Sequence, residues 1–165
     1  MNGIKKFIEN LKMAVKNHKL ALIGAVLVGL IYIGPNIFFI ISLGDKYQGI
    51  PMMQTANEDY YLARIQKIID GHSWLGPAVF YENRLQGSLT PAGGDIFYAL
   101  PSKLLHLSPV NVLIASRFVL PFILFILIYF LISRLTANIF SISNKINALA
   151  GALFITLGYD LIDFK

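Results

Sequence analysis

Apolar positions along this chain fall into long uncharged blocks, separated by a stretch where apolar and polar residues alternate at helical spacing. Leu20 to Leu43 carries no charge. At 1.5 Å per residue it makes roughly 36 Å of helix, enough to cross a hydrocarbon core of about 30 Å with some tilt. A cleaved signal peptide is the rival reading, but its apolar region is normally only about 7–15 residues, so a membrane anchor is expected. Gly34-Pro35 lies inside this block and predicts a local bend, because proline removes a backbone donor. The second block is Val112 to Ile132, continuously apolar from Phe118 onward, with Pro121 near its start and Arg117 interrupting its first turns. A third, weaker block is Ile146 to Phe164. Its small residues Ala148, Ala150, Gly151 and Ala152 suit close packing against another helix, and Asp160 and Asp163 shorten its uncharged part.

The predicted fold is therefore an all-α polytopic membrane protein. Its expected parts are a tail at 1–19, spans at 20–43, 110–133 and 146–165, an outer loop at 44–109 and a short inner loop at 134–145. A connector as long as 44–109 is usually functional or structured. Within it, "NEDYYLARIQKIIDGH" places Tyr61, Leu62, Ile65, Ile68 and Ile69 on one helical face and Arg64, Lys67 and Asp70 on the other. Asn57 or Thr55 can cap its start and Gly71 can end it. A second patch, "GDIFYALPSKLLHL", has an apolar face of Ile96, Phe97, Leu100, Leu104 and Leu105, and Pro101 predicts a bend or a new short helix. Both patches read as amphipathic helices at the outer membrane surface or against neighbouring spans. Trp74, Phe80 and Tyr81, between them, suit the headgroup level.

Composition supports the membrane assignment. Charged residues are 14% of the chain and hydrophobic residues 56%, with mean hydropathy +0.63. Soluble domains average about 25% charged residues, and so few charges could not cover a globule of this size. The same numbers exclude intrinsic disorder. The absence of cysteine removes disulfides, thiolate metal sites and cysteine nucleophiles. The net charge of +5 is unevenly distributed. Lys5, Lys6, Lys12, Lys16 and Lys19 precede the first block against Glu9 alone, so the amino-terminal tail is expected on the cytoplasmic side. Arg134 and Lys145 flank the inner loop consistently. Spaced between Ile4, Phe7, Ile8, Leu11 and Val15, the early lysines fit either a basic amphipathic helix on the inner leaflet or a solvated tail. The basic residues sit at membrane boundaries, so no nucleic-acid surface is expected. "GGD" at 93–95 lacks the lysine of a phosphate loop, and His18, His72 and His106 lack a ligand spacing.

The outer loop holds the candidate chemistry. Glu58-Asp59 opens its first helix at the water–membrane boundary, where paired carboxylates can accept a proton from a hydroxyl or bind a divalent cation. A competing reading is structural: Thr55-x-x-Glu58 fits a capping box, and acids at a helix start are favoured by its dipole. Asp95 carries the same two readings. Arg117 is costly inside an apolar block and should face protein, water or phosphate. Its guanidinium can hold a phosphate bidentately, snorkel to the interface, or pair with a loop carboxylate such as Glu58.

In order and type, these features resemble the start of the GT-C fold of polyprenyl-phosphate-sugar-dependent glycosyltransferases. The likeness is nearest to the protein mannosyltransferase and lipid A aminoarabinose transferase group. "EDYYLARIQKIIDGH" is similar to that group's acidic pair, tyrosine and amphipathic helix ending in glycine. "LTPAGGDIFYALPSKLL", with Pro91 and Tyr98, resembles its proline-containing stretch and interfacial helix. Ala115-Ser116-Arg117 is similar to the head of its second span, and Tyr129 with Arg134 to that span's inner end. Here the acidic order is Glu-Asp where the family has Asp-Glu, and a single proline stands where the family has a pair.

The resemblance implies inverting transfer of a sugar from a polyprenyl-phosphate donor to an acceptor hydroxyl on the outer face of the cell membrane. It gives Asp59 or Glu58 the role of general base, and Asp59 that of holding a divalent metal in some family members. Substrate-binding roles are expected for Arg117, Tyr60, Tyr61, Arg64 and Asp95. The donor lipid, the bilayer and an acceptor would be the partners. It also implies further spans, so the chain is expected to be the amino-terminal part of a longer enzyme. Two other classes stay open: a small non-enzymatic membrane protein or assembly subunit that binds through its outer loop, and a transporter fragment with Arg117 and Asp160 on a pathway.

Overall fold

The computed structural model describes residues 5, 6, 9, 13, 15–53, 55, 57–72, 93–136 and 144–162, the last four by their backbone alone. Among the described residues the regular structure is helical, with no strand. Helix α1 is Lys19–Leu43, followed by a 3₁₀ turn at Gly44–Lys46; α2 is Glu58–Ile69, α3 Gly93–Leu105, α4 Pro109–Thr136 and α5 Asn144–Ile162. Two helical stretches, Lys19–Lys46 and Pro109–Thr136, are long and apolar enough to cross a membrane. Only 17% and 11% of their most apolar windows are buried within the chain. Phe38, Ile41, Leu127 and Leu131 stand exposed along them. A helix in a soluble core hides such side chains, whereas a lipid-facing helix presents them.

The chain divides into two compact units, residues 1–33 with 117–165, and residues 34–116. In the first unit, Ala21, Ala25 and Val28 of α1, Phe125 and Tyr129 of α4, and Ala148 and Ala152 of α5 form one buried cluster. Small residues let the backbones approach. A Cβ on Gly24 would lie 2.9 Å from the Phe125 ring, and one on Gly29 2.7 Å from the Phe118 ring. Of the small residues expected to pack on α5, Ala148, Gly151 and Ala152 do so, but Ala150 is exposed. Polar contacts pin the same bundle. The Tyr32 hydroxyl donates to the Thr156 carbonyl at 2.7 Å. The Asn144 amide donates to the Ser133 carbonyl at 3.0 Å, and the Thr136 hydroxyl donates to Asn144 Oδ1.

In the second unit α2 packs against α3. Helix α2 ends as expected: Gly71 takes φ +91°, its N–H donates to the Ile68 carbonyl, and the His72 N–H donates to the Lys67 carbonyl. That is the Schellman pattern. Its start differs from the expected capping box. The helix begins at Glu58 with Asn57 in the cap position, and the Asn57 side chain makes no cap hydrogen bond. Thr55 contributes only its carbonyl, which accepts from the Glu58 N–H at 3.5 Å. Helix α3 runs unbroken through Pro101, so of the two expected outcomes no new short helix starts there. Its buried residues are Asp95, Ala99 and Ser102, while Phe97, Leu100, Leu104 and Leu105 are exposed. The apolar face therefore points away from α2 and the polar face toward it.

Several expectations fall outside the described residues: the placement of Trp74, Phe80, Tyr81 and Pro91, the Asp160 side chain, Asp163, and Ile4, Phe7, Ile8 and Leu11 among the early lysines. The described positions from Lys5 to Asn17 are helical and exposed.

Candidate functional site

The two loop helices meet over a buried ion pair. Arg64 Nη2 lies 2.6 Å from Asp95 Oδ2, and each side chain is 7% exposed. Arg64 was expected on the solvated face with Lys67 and Asp70. It is buried because α3 brings a carboxylate to meet it, and a buried guanidinium needs such a partner. The Tyr60 ring lies 5.5 Å from the guanidinium carbon, a cation–π distance that adds a second anchor. Tyr60 in turn stands edge-on to Tyr61, with centroids 5.7 Å apart.

Beside this pair is a cavity of about 280 Å³. Glu58, Tyr61, Leu62 and Ile65 line it from α2, Gly94, Asp95 and Tyr98 from α3, and Leu113 from α4. The α2 positions are spaced i, i+3, i+4 and i+7 and those of α3 i, i+1 and i+4, so each set is one helical face. The two faces oppose each other, which brings carboxylates from separate helices to one space.

The expected site residues thus separate into groups. Glu58, Tyr61 and Asp95 line the cavity. Arg64 and Tyr60 stand behind it and hold Asp95 in place. Asp59 is exposed, and its Oδ1 accepts the Tyr60 N–H at 2.8 Å. It satisfies one of the donors that a helix start leaves open. Arg117 is half-buried on α4, in the first unit.

Comparison with protein-family models, curated proteins and solved structures finds no match.

Among the described residues no group of three or more His, Asp or Glu is placed to hold a metal ion. Tyr98 and Leu113 were not expected at the site. Tyr98 was legible in principle, since it follows Gly94-Asp95 by one helical turn. Leu113 carried no such signal, because nothing in the sequence says which residue of α4 lines the cavity.

The cavity can do limited chemistry by itself. Its walls are mainly apolar, which suits the ring face of a small ligand. Glu58 can accept a proton from a hydroxyl held there, and the Tyr61 and Tyr98 hydroxyls can donate or accept. Asp95 is paired with Arg64 beside the same space.

Proposed function

We propose that the chain carries the acceptor side of a membrane glycosyltransferase that uses a polyprenyl-phosphate-linked sugar, as its resemblance to the GT-C group implies. In this reading α1, α4 and α5 are three membrane spans and the chain is an integral protein of the cell's inner membrane. Its amino-terminal tail is cytoplasmic, and the α2–α3 layer lies on the outer side. The observation that carries the proposal is the single cavity faced by Glu58 and Asp95 from two different helices.

The acceptor hydroxyl would sit in that cavity with its proton directed at Glu58. Its oxygen forms the bond to the anomeric carbon as the carbon–oxygen bond to phosphate breaks. The electron pair leaves with the polyprenyl phosphate, the acceptor proton passes to Glu58, and the configuration inverts. Fixing the acceptor on packed helices lowers the entropy cost of alignment. The resemblance assigns the phosphate to Arg117. Of the acidic pair, Glu58 is preferred as base over Asp59, because Asp59 is exposed and bonded to its own helix start.

The test is sugar transfer by membranes expressing the protein from its native gene, supplied with polyprenyl-phosphate-mannose or polyprenyl-phosphate-aminoarabinose. Glu58→Gln should lower turnover by about 100-fold or more, the usual worth of a general base. Asp59→Asn should cost less than about tenfold, since it loses only a local backbone contact. Unchanged turnover in Glu58→Gln removes the proposed base, and a chain that serves only as a binding subunit then becomes the better reading.

A further inference from the structure

A second cavity, of about 240 Å³, lies in the first unit where α1 and α5 begin. Lys16, His18, Lys19, Tyr129 and Lys145 supply its polar lining. Among the described residues no Asp or Glu lines it, and Leu20, Ile146 and Leu149 are part of the wall. We propose that this cavity binds a phosphate group, presented either by an anionic phospholipid headgroup or as free phosphate.

Three observations support the assignment. First, three lysines line one space with no carboxylate among its described lining residues, an arrangement that favours an anion. Like charges brought together this way repel unless a counter-charge sits among them.

Second, the site is built from fixed parts. Lys145 Nζ donates to the Asn17 carbonyl at 3.2 Å. His18 Nδ1 and the Tyr129 hydroxyl are hydrogen-bonded at 2.9 Å, and the His18 ring stands edge-on to the Tyr129 and Phe130 rings. Tyr129 is itself 2% exposed, so the imidazole is tied to the helix core. Burial, and then the charge of Lys145, hold the His18 imidazole below its ordinary value.

Third, the polar lining adjoins exposed apolar side chains. Leu20 is 59% exposed and Ile146 65% exposed. A lipid places its phosphate and the first part of its acyl chains across such a boundary, where basic residues at a helix end attract anionic headgroups.

The test follows the imidazole resonances of histidine-labelled protein in detergent micelles, with His18 identified from a His18→Gln variant. Inorganic phosphate and short-chain phosphatidic acid are titrated separately. A saturable shift of the His18 signal is expected, weakened about fivefold in Lys16→Gln and in Lys145→Gln, the worth of one lysine near an anionic surface. Lys145→Arg should retain binding. Saturation by phosphatidic acid at lower concentration than by inorganic phosphate supports the site and assigns it to a lipid. Saturation by inorganic phosphate alone supports it and assigns it to free phosphate. No saturable shift with either probe, or equal affinity in native protein and both Lys→Gln variants, overturns the proposal. Should Lys145→Gln lose the bundle along with its bond to Asn17, Lys16→Gln gives the answer.

Discussion

Arg64 and Asp95 meet at 2.6 Å with both side chains 7% exposed, and this contact sets the register of the two loop helices. On α3 the face turned to α2 is not its most apolar one. Helix α2 contributes Arg64 and Ile65, and α3 contributes Asp95, Ala99 and Ser102. A purely apolar contact tolerates sliding and rotation, because one methylene serves nearly as well as another. An ion pair with this little access to water does not, since either partner displaced by a helical turn is left charged and buried. The pair therefore fixes which α3 residues oppose Glu58 and Tyr61, and with them the cavity.

Removing one partner should cost much more than removing both. Arg64→Met is expected to destabilise the protein by about 3–5 kcal/mol, the usual penalty for an orphaned buried charge. The double change Arg64→Met with Asp95→Leu should recover most of that, because no buried charge remains. Thermal unfolding of the detergent-solubilised protein, followed by circular dichroism, gives the comparison as a double-mutant cycle. Equal losses in the single and double variants would show that packing, not charge, holds α2 on α3.

The same pair marks the limit of what the sequence disclosed. The long helices and their apolar blocks were plain, because an uncharged run of that length has few alternative structures. The Gly71 stop was plain too, being a matter of local backbone preference. Glu58, Tyr61 and Asp95 were singled out as chemistry-bearing, and they do share a cavity. The burial of Arg64 was not legible. Periodicity assigns a charged residue to the solvated face, and it takes a partner some thirty positions away to reverse that assignment. The exposed apolar face of α3 fits the membrane-surface reading of this helix, since burial in lipid looks the same in sequence as burial in protein.

Glycine substitutions should separate tight from loose helix contacts in the bundle. A Cβ on Gly29 would stand 2.7 Å from the Phe118 ring and 3.0 Å from its backbone oxygen. Gly29→Val is expected to destabilise by about 1–3 kcal/mol through overpacking, despite the better helix propensity of the new residue. Phe118→Leu should restore only part of it, because the backbone oxygen stays in place. At Gly151 the close neighbour is the far end of Ile132, Cδ1 at 2.7 Å. That methyl can turn aside, so Gly151→Ala should be within about 1 kcal/mol of the native protein. Thermal midpoints of the three variants test the ranking.

Acid should weaken the bundle through His18. Its imidazole lies below the ordinary value of 6.5, first because it is buried and then because Lys145 is near. The unfolded chain therefore binds the proton more readily than the folded one in this range. Stability from His18 is complete above pH 6.5. It declines as pH falls through that value toward the lower folded one. Lys16, Lys19, Tyr129 and Lys145 line the cavity with it. Thermal midpoints measured on either side of pH 6.5 should fall on acidification in the native protein and change less in His18→Gln. An equal fall in both would place the acid sensitivity elsewhere.

Two helix ends in the second unit solve the same problem with different residues. Gly71 closes α2 at φ +91°, and His106 closes α3 at φ 53°. The Leu107 N–H donates to the Ser102 carbonyl at 3.0 Å, and the Ser102 hydroxyl donates to the Leu107 carbonyl. Both positions lie in the left-handed region, where a side chain costs about 1–2 kcal/mol and glycine costs nothing. Gly71→Ala should therefore destabilise by about that amount, since no Cβ clash adds to it: a Cβ there meets nothing within 4 Å. His106→Gly should act in the opposite direction. It removes the conformational cost and loses some of the gain to the extra freedom of the unfolded chain, leaving a net stabilisation below about 1 kcal/mol. Chemical denaturation of the two variants checks the pair of signs. A destabilised His106→Gly would mean that the imidazole makes contacts worth more than the strain it carries.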